Sequence, residues 1–250
     1  MLSKPNIKYI QSLAHKKLRD DGGVFVAEGP KVVTALLHSG KFAAKMVCAS
    51  PSWIHENANL LKGITSENRF EVSDIELEKI SQLQTPNKVV AVLYKNEQRL
   101  SALPGNFSLM LDAIQDPGNM GTIIRTADWF GIPNIICSYE CADCYNPKVV
   151  QASMGSLARV NIIFTDLEAL ILANRDVKVY AATLSGKAVS TFTPAEGILL
   201  IGNEGNGVSK KLLTLAAGEV TIPKMGSAES LNAAVACGIL LSHWVQGKTL

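Results

Sequence analysis

The sequence predicts an α/β protein with two parts, a small front domain and a larger domain built on a parallel sheet. Apolar segments of strand length recur along the 250 residues, and helical patterns lie between most of them. In the second part the strands are apolar throughout, which favours a parallel sheet covered on both faces. Residues 96–106 are polar and include Pro104 and Gly105, which indicates a linker. We therefore expect domains at residues 1–95 and 107–250.

The front domain alternates helix-like and strand-like segments. Residues 6–19 have a helical pattern, and residues 20–23 (Asp-Asp-Gly-Gly) predict a turn before a strand at residues 24–27. Pro30 suits the first turn of a helix that runs to about His38, where Gly40 ends it. Further strands are expected at residues 42–49, 69–72 and 89–94, with helices near 53–62 and 74–83.

The second domain opens with an apolar strand at residues 107–114. Asp116-Pro-Gly-Asn-Met-Gly121 follows, which is not the Gly-x-Gly-x-x-Gly fingerprint of a Rossmann nucleotide site. Small-residue turns at later strand ends, near 183–186, 202–207 and 222–226, are therefore the expected cofactor-binding loops. The further strands are expected at residues 134–138, 160–164, 177–183, 197–202 and 219–222.

Charge is distributed unevenly along the chain, although the net charge is only +2. Residues 1–100 hold 14 Lys and Arg against 10 Asp and Glu, a net of +4, and residues 101–250 hold 10 against 12, a net of −2. The first 19 residues carry five basic residues and no acid. A basic front end suits a polyanion such as RNA. The alternative is an ordinary solvated surface that is slightly basic.

Hydropathy and cysteine content indicate the cellular environment of the protein. No run of 18 apolar residues is present, and residues 1–30 lack the apolar core of a signal peptide, so no membrane span is expected. Five cysteines, an odd number, favour a reducing cytoplasm. Cys137, Cys141 and Cys144 have a spacing that could hold an iron–sulfur cluster, but Cys137 falls within a predicted strand. A zinc site would need a fourth ligand, which the local sequence does not offer.

The first chemically informative motif is Asp116-Pro-Gly-Asn-Met-Gly-Thr-Ile-Ile-Arg-Thr-Ala127. Asn119 is a candidate cap for a helix running to Trp129. On that helix Thr122, Arg125 and Trp129 share a face, which presents Arg125 away from the core. The opposite face is apolar, with Ile123, Ala127 and Phe130. The plain alternative is a capped helix with a surface pair between Arg125 and Asp128.

The second motif, Gly202-Asn-Glu-Gly-Asn-Gly207, follows a buried-strand pattern. Its three glycines permit close approach of the backbone to a ligand. Glu204 lies in the middle of this turn, where its carboxylate could accept hydrogen bonds or pair with Arg125. The plain alternative is a tight turn with a solvated Glu204.

The third motif is Ile222-Pro-Lys-Met-Gly-Ser-Ala-Glu-Ser-Leu-Asn232. A strand ends at Pro223, and Ser230 is a candidate cap for the final helix. The backbone N–H groups of Leu231 and Asn232 would then be free for a ligand. The final helix, residues 231–245, is apolar on most faces.

The order and spacing of these motifs resemble the SpoU (TrmH-type) branch of the SPOUT methyltransferases. That family transfers a methyl group from S-adenosylmethionine to a ribose 2′-hydroxyl of structured RNA. One departure is Lys224, where the family often has Met directly after Pro. Two stretches, residues 146–155 and 180–186, resemble further elements of the family. In front, Arg19 followed by residues 24–29 (Val-Phe-Val-Ala-Glu-Gly) resembles its L30e-like RNA-binding domain.

The resemblance implies a fold, partners and roles for individual residues. The fold is a SPOUT domain with a deep trefoil knot behind an L30e-like domain, and the protein would be a homodimer with S-adenosylmethionine as cofactor. The implied catalytic residues are Arg125, Asn119, Glu204, Ser230 and Asn232. The implied cofactor contacts are Thr183, Leu184, Gly186, Ile201, Gly202, Asn203, Gly205, Ile222, Met225 and Leu231. The implied RNA contacts are Lys16, Lys17, Arg19, Glu28, Lys148 and Arg125.

Several functions remain open at this level. Family members with a front domain act mostly on ribosomal RNA, so ribosomal RNA is favoured over transfer RNA. A catalytically silent RNA-binding assembly factor and a radical S-adenosylmethionine enzyme are the alternatives from other classes. Arg125 matches the family's proposed base, yet a guanidinium holds its proton above about pH 12, so a phosphate clamp is the second possible role.

Overall fold

The computed structural model describes residues 2–96, 107–191 and 197–245, and these residues form two compact units. The first unit comprises residues 2–96 and 143–158. The second comprises residues 107–142, 159–191 and 197–245. Apart from Asn96, the predicted linker at 96–106 lies outside the described residues. In the described part of the chain, no helix is long and apolar enough to cross a membrane.

Ten α-helices and ten strands are described. The helices are α1 Lys4–Ser12, α2 Lys16–Gly22, α3 Pro30–His38, α4 Pro51–Glu56, α5 Asp74–Ile80, α6 Pro117–Trp129, α7 Pro147–Ala152, α8 Leu167–Ala173, α9 Lys210–Leu215 and α10 Ala233–Trp244. The strands are β1 Val24–Glu28, β2 Ala44–Ala49, β3 Arg69–Glu71, β4 Val89–Tyr94, β5 Ser108–Leu111, β6 Asn134–Cys137, β7 Asn161–Phe164, β8 Val179–Ala188, β9 Ile198–Ile201 and β10 Gly218–Thr221.

The first unit is built on a four-stranded sheet in the order β1-β4-β2-β3. β4 runs antiparallel to both of its neighbours, and β2 runs parallel to β3. Every residue of β1 is buried, so both faces of the sheet are covered there. Apolar side chains of α1 and α5, among them Ile10, Leu77 and Ile80, belong to one core cluster with Val24 and Val90.

The predicted single helix at residues 6–19 is two helices, α1 and α2, separated by a short turn. The cause is Arg19, whose side chain is 1% exposed. Its Nη1 donates hydrogen bonds to the carbonyl oxygens of Leu13 at 2.9 Å and Ala14 at 2.8 Å. Both carbonyls belong to the turn between α1 and α2, which the buried guanidinium stabilises. A break made by a buried guanidinium carries no Gly or Pro signal, so the apolar periodicity could not indicate it.

Residues 143–158 pack in the first unit, whereas the predicted boundaries assigned them to the second domain. Arg19 Nη2 lies 2.6 Å from Asp143 Oδ2. The ring of Tyr145 contacts that of Phe25 at a centroid distance of 4.7 Å. Gly155, at φ +89°, lies so close to α3 that an added Cβ would be 2.7 Å from the Cβ of Ala35. This segment therefore completes the core around β1.

The second unit contains the predicted parallel sheet, which is confirmed. Its six strands lie in the order β10-β8-β9-β5-β6-β7, and every neighbouring pair is parallel. β5, β9 and most of β6 are buried, as expected for strands covered on both faces. β8 is longer than predicted and runs from Val179 to Ala188. The trefoil knot stays a prediction.

Replacing Arg19 by Met tests whether the buried ion pair holds the first unit together. The change leaves Asp143 and two carbonyls without their donor, so unfolding free energy should fall by about 3–5 kcal/mol. The matched control is Lys211→Met, because Lys211 pairs with Glu168 on the surface at 3.5 Å. This substitution should lower the unfolding free energy by at most ~1 kcal/mol. Urea denaturation followed by circular dichroism measures both. Equal losses in the two variants would contradict the structural role of Arg19.

Candidate active site

A cavity of about 750 Å³ lies at the carboxyl ends of β8, β9 and β10. Its volume is in the range of small-molecule sites, roughly 300–1,000 Å³. Residues 182–184, 201–208 and 220–231 supply most of its wall, together with the start of α10. Because the carboxyl ends of parallel strands share one edge of the sheet, the loops that follow them meet there. The turns expected to bind a cofactor therefore border one cavity.

The first wall of the cavity is an excursion in β8. Ala181 pairs with Glu219 in β10, but the next β10 residue, Val220, pairs with Lys187. The residues between them bulge out of the ladder, and Thr183 and Leu184 line the cavity. The Thr183 hydroxyl donates to Glu219 Oε2 at 2.9 Å, which fixes the excursion against β10.

Gly186 does not line the cavity. It lies against the backbone of β10 instead, because a Cβ added there would be 2.5 Å from the carbonyl carbon of Glu219. The absence of a side chain at this position therefore permits the chain to return to the ladder after the excursion.

The second motif forms a closed turn. Asn203 and Gly207 exchange backbone hydrogen bonds at 3.0 and 2.9 Å. Asn203 Oδ1 accepts from the N–H groups of Gly205 and Asn206, and its Nδ2 donates to the carbonyl oxygen of Ala113 at 2.8 Å. Gly202 must lack a side chain, since a Cβ there would lie 2.1 Å from the carbonyl carbon of Gly207. The turn thus presents backbone and Glu204 to the cavity.

The expected cap of α6 is wrong. Asp116 caps this helix, and its Oδ1 accepts from the backbone N–H of Asn119 at 2.7 Å. The side chain of Asn119 is therefore free of capping and reaches the two other motifs. Its Nδ2 donates to Glu204 Oε1 at 2.6 Å, and its Oδ1 accepts from Asn232 Nδ2 at 2.8 Å.

The expected cap of the final helix is also wrong, since Asn232 rather than Ser230 caps α10. Asn232 Oδ1 accepts from the N–H groups of Ala234 and Val235 at 3.0 and 3.2 Å. Ser230 is exposed and lines the cavity, and Leu231 and Ile222 also line it. Because α10 begins at Ala233, Ser230 stays in the loop before the helix.

The hydrogen bonds among Glu204, Asn119 and Asn232 have one possible direction. The Oδ1 of Asn232 is committed to backbone N–H groups, so its Nδ2 must be the donor to Asn119. An ionised carboxylate only accepts hydrogen bonds, so Asn119 must present its Nδ2 to Glu204. Both amide orientations are thereby fixed by chemistry. One side chain from each motif is held in a defined position beside the cavity.

Arg125 is exposed on α6, as predicted, together with Thr122 and Trp129. Neither expected partner pairs with it. Asp128 forms a bidentate pair with Arg159, at distances from 2.6 to 3.0 Å, and Glu204 accepts from Asn119. Within the described residues, Arg125 has no ion pair or hydrogen bond. Its guanidinium is therefore available for an external anion.

Apolar side chains at the cavity are exposed to solvent although their residue types are usually buried. Met225 is 98% exposed and Leu184 is 77% exposed, and both line the cavity. Leu231 is exposed on the same wall. Exposed apolar side chains that converge on a cavity, beside backbone polar groups, are typical of a site for a small molecule with an aromatic part.

Asp112 is a site residue that sequence reasoning missed. It follows β5, is 8% exposed, and its Oδ2 accepts from the N–H of Ser209 at 2.8 Å. It thereby ties the loop before the first motif to the start of α9. A buried-strand pattern followed directly by an acid was the signal, because a carboxylate at the end of a central parallel strand lies at the functional edge of the sheet.

The residues expected to contact RNA in the first unit fall into two groups. Lys16, Lys17 and Lys148 are exposed. Arg19 is buried and paired with Asp143, so its guanidinium is not presented to a phosphate. Glu28 is also buried, and it accepts from the Ser81 hydroxyl and from the N–H of Gln82. Burial raises the pKa of the Glu28 carboxyl, while these hydrogen bonds oppose the rise. The structure gives Arg19 and Glu28 roles in folding.

The cysteine spacing does not produce a ligand cluster. Cys137 lies in β6, as expected, and is fully buried. Cys141 Sγ donates to the carbonyl oxygen of Leu111 and accepts from the N–H of Ile114, both at 3.3 Å. Among the described residues, no group of three or more His, Cys, Asp or Glu could hold a metal ion. Cys141 therefore supports the loop that precedes the first motif.

Comparisons with known proteins agree with this geometry. Residues 106–242 match the SpoU rRNA Methylase family, and residues 4–91 match the MRM3-like substrate binding domain. A 23S rRNA (guanosine(2553)-2′-O)-methyltransferase, RlmP of Bacillus subtilis (strain 168), is 31% identical over 95% of this chain and 94% of its own length.

Two solved structures are similar over nearly the whole chain. The AdoMet-bound rRNA methyltransferase from Sinorhizobium meliloti has a TM-score of 0.90 and 31% identity, and the match covers 100% of this chain and 97% of that one. The SpoU methyltransferase AviRb from Streptomyces viridochromogenes, in complex with AdoMet, has a TM-score of 0.83 and 26% identity, with 96% and 97% covered.

A charge-swap pair tests the fixed direction of the hydrogen bonds at Asn119. Asn119→Asp removes the donor and sets a carboxylate against Glu204, which should lower the melting temperature. Glu204→Gln should change it little, since an amide oxygen still accepts from Asn119. The double variant restores a donor between the two positions, so it should recover stability with a coupling of about 0.5–3 kcal/mol.

Thermal unfolding of the full chain, without any ligand, measures all three variants. If the losses of the two single variants simply add in the double variant, the side chains do not interact as described.

Proposed function

The chain belongs to the SpoU rRNA Methylase family, and we propose that it transfers the methyl group of S-adenosylmethionine to a ribose 2′-hydroxyl of structured RNA. The observation that carries the proposal is the hydrogen-bonded row of Glu204, Asn119 and Asn232. It joins one polar side chain from each of the three motifs, and one of these, Glu204, lines a cavity of cofactor size. The relatives that are named as 2′-O-methyltransferases of RNA support it.

The cavity fits S-adenosylmethionine by its chemistry. Gly202 lets backbone segments approach closely, and Leu184, Met225 and Leu231 provide exposed apolar surface for an adenosine. We propose that these residues bind the cofactor, together with the remaining lining residues named for this role, which are Thr183, Ile201, Asn203, Gly205 and Ile222. When bound, the cofactor supplies an electrophilic methyl group on a sulfonium.

The protein's own task is to orient the ribose and to handle its proton. A ribose hydroxyl is a very weak acid, so alignment of the reacting groups contributes much of the rate. We propose that Asn119, Glu204, Ser230 and Asn232 form the polar wall that positions the ribose. Arg125 presents an unpaired guanidinium whose fork suits two oxygens of the neighbouring phosphate. Because guanidinium keeps its proton, the clamp is favoured over a role as base.

We propose ribosomal RNA as the substrate. Residues 4–91 match a substrate-binding domain, and the Bacillus subtilis relative that is 31% identical is named for a 23S ribosomal RNA. Lys16, Lys17 and Lys148 are exposed in the first unit and suit phosphate contacts. Transfer RNA is the runner-up. The nucleotide is to be identified by mapping 2′-O-methylation in cells with and without the gene.

We propose that the protein is a homodimer and works in a reducing cytoplasm. Trp129 on α6 is 84% exposed, and Val235 on α10 is 51% exposed. These two helices pack together, so the exposed apolar side chains favour a partner surface on the second unit. Sedimentation at micromolar concentration measures the oligomeric state. None of the five cysteines forms a disulfide bond, which supports a reducing setting.

Arg125→Lys tests the clamp. Lysine keeps the charge but loses the planar fork, so methyl transfer to RNA should fall by at least about tenfold, the equivalent of one lost charged hydrogen bond. Cofactor affinity should not change, since Arg125 does not line the cavity. Tritium transfer from labelled S-adenosylmethionine and calorimetry measure the two quantities.

The matched control for the clamp is Lys178→Arg, a charge-preserving exchange outside the cavity lining. Full transfer activity in Arg125→Lys would contradict the proposed role of Arg125 as a bidentate phosphate clamp. Absence of cofactor binding in the wild type near micromolar concentration would instead favour an assembly factor.

Lys16→Glu/Lys17→Glu tests the RNA surface of the first unit. Both side chains are exposed, so the fold should persist. RNA affinity should weaken for all sequences, and the slope of log affinity against log salt should become shallower by about 0.7–0.9 per lost phosphate contact. Filter binding at several salt concentrations measures this slope. Lys62→Glu, also exposed, is the comparison variant, and an equal change in it would show only a general charge effect.

A further inference from the structure

The charges at the cavity are unevenly distributed. Among the described residues that line it, Lys224 alone carries a cationic side chain. Two acids, Glu204 and Glu229, also line the cavity. A single cation in a wall of this composition defines where an anionic group of a ligand can be neutralised.

Lys224 is not neutralised by the protein. It is exposed in the loop after β10, and within the described part of the chain it has no ion pair or hydrogen bond. Glu204 is held by Asn119 at 2.6 Å. Glu229 is exposed in the same loop and forms no described ion pair. The ammonium of Lys224 is therefore available to a ligand. In sequence, Lys224 lies between Pro223 and the apolar Met225.

The proposed cofactor has one anion. S-adenosylmethionine carries a sulfonium, an ammonium and a single α-carboxylate. We infer that Lys224 binds the α-carboxylate of the cofactor, an assignment that rests on the proposed function. The apolar side chains of Leu184, Met225 and Leu231 suit the adenosine. Lys224 is then the lining residue whose charge suits the methionine part of the cofactor.

The size of the effect follows from the exposure of the lysine. A charged hydrogen bond to a solvent-accessible ammonium contributes about a tenfold change in affinity, and salt weakens it. The lysine therefore tunes affinity and selects for the carboxylate, while the backbone and apolar contacts supply the rest of the binding.

The test compares two ligands on two variants. Calorimetry of the full chain measures the Kd of S-adenosylmethionine and of decarboxylated S-adenosylmethionine, which lacks the carboxylate. In Lys224→Met, the Kd for S-adenosylmethionine should rise about tenfold, and the Kd for the decarboxylated compound should not change. Lys210→Met is the matched control, because Lys210 is exposed on α9 but does not line the cavity. Melting temperatures of both variants should equal that of the wild type.

Four outcomes overturn the inference, and they are distinguishable. If Lys224→Met binds S-adenosylmethionine as tightly as the wild type, the carboxylate is bound elsewhere and the proposed function stands. If the variant raises only the KM for RNA, Lys224 contacts a phosphate. If the Kd values of both ligands rise equally, the lysine stabilises the loop and does not bind the carboxylate. Failure of the wild type to bind S-adenosylmethionine would remove the proposed function together with this inference.

Discussion

The site depends on one amide side chain, that of Asn119, which receives a hydrogen bond from Asn232 and donates one to Glu204. Asn119 lies 85 positions before Glu204 and 113 positions before Asn232, and the parallel sheet only brings the three segments to a common edge. It does not fix them to one another. Asn119 does so, and it can because Asp116 performs the capping that would otherwise occupy it. An acid that caps α6 directly before its first residue thus frees the side chain of Asn119 to connect the three motifs.

The sheet was predictable because its central strands are buried on both faces, and short apolar runs separated by helical patterns are typical of such strands. The helix caps were not, because Asp116, Asn119, Ser230 and Asn232 are all good capping types within three residues of a helix start. Local preference cannot choose between two such residues. A contact between segments distant in sequence makes the choice, because the side chain of Asn232 donates a hydrogen bond to that of Asn119. Only the two cap assignments were wrong, and the roles of Asn119, Ser230 and Asn232 in the site stay a prediction.

Arg19 illustrates a different limit of sequence reasoning. Its position in a basic segment suggested a phosphate contact, whereas its guanidinium is buried and bonded to two carbonyls and to Asp143. A charge in a sequence does not say whether it faces solvent. The same guanidinium explains two departures from the predicted fold. It separates α1 from α2, and it holds the start of residues 143–158 in the first unit. A long-range ion pair of this kind leaves no periodic signal.

The availability of Arg125 is best understood from the partners of the two acids that were expected to pair with it. Asp128, one turn further along α6, is engaged by Arg159 in a bidentate pair, and Glu204 is engaged by Asn119. Were either acid free, its attraction would draw the guanidinium into an internal pair and lower its affinity for an external anion. Each acid instead has a partner of matching geometry. Arg125 therefore retains an uncompensated charge and an exposed fork, the properties that a phosphate clamp requires and that a proton acceptor cannot have.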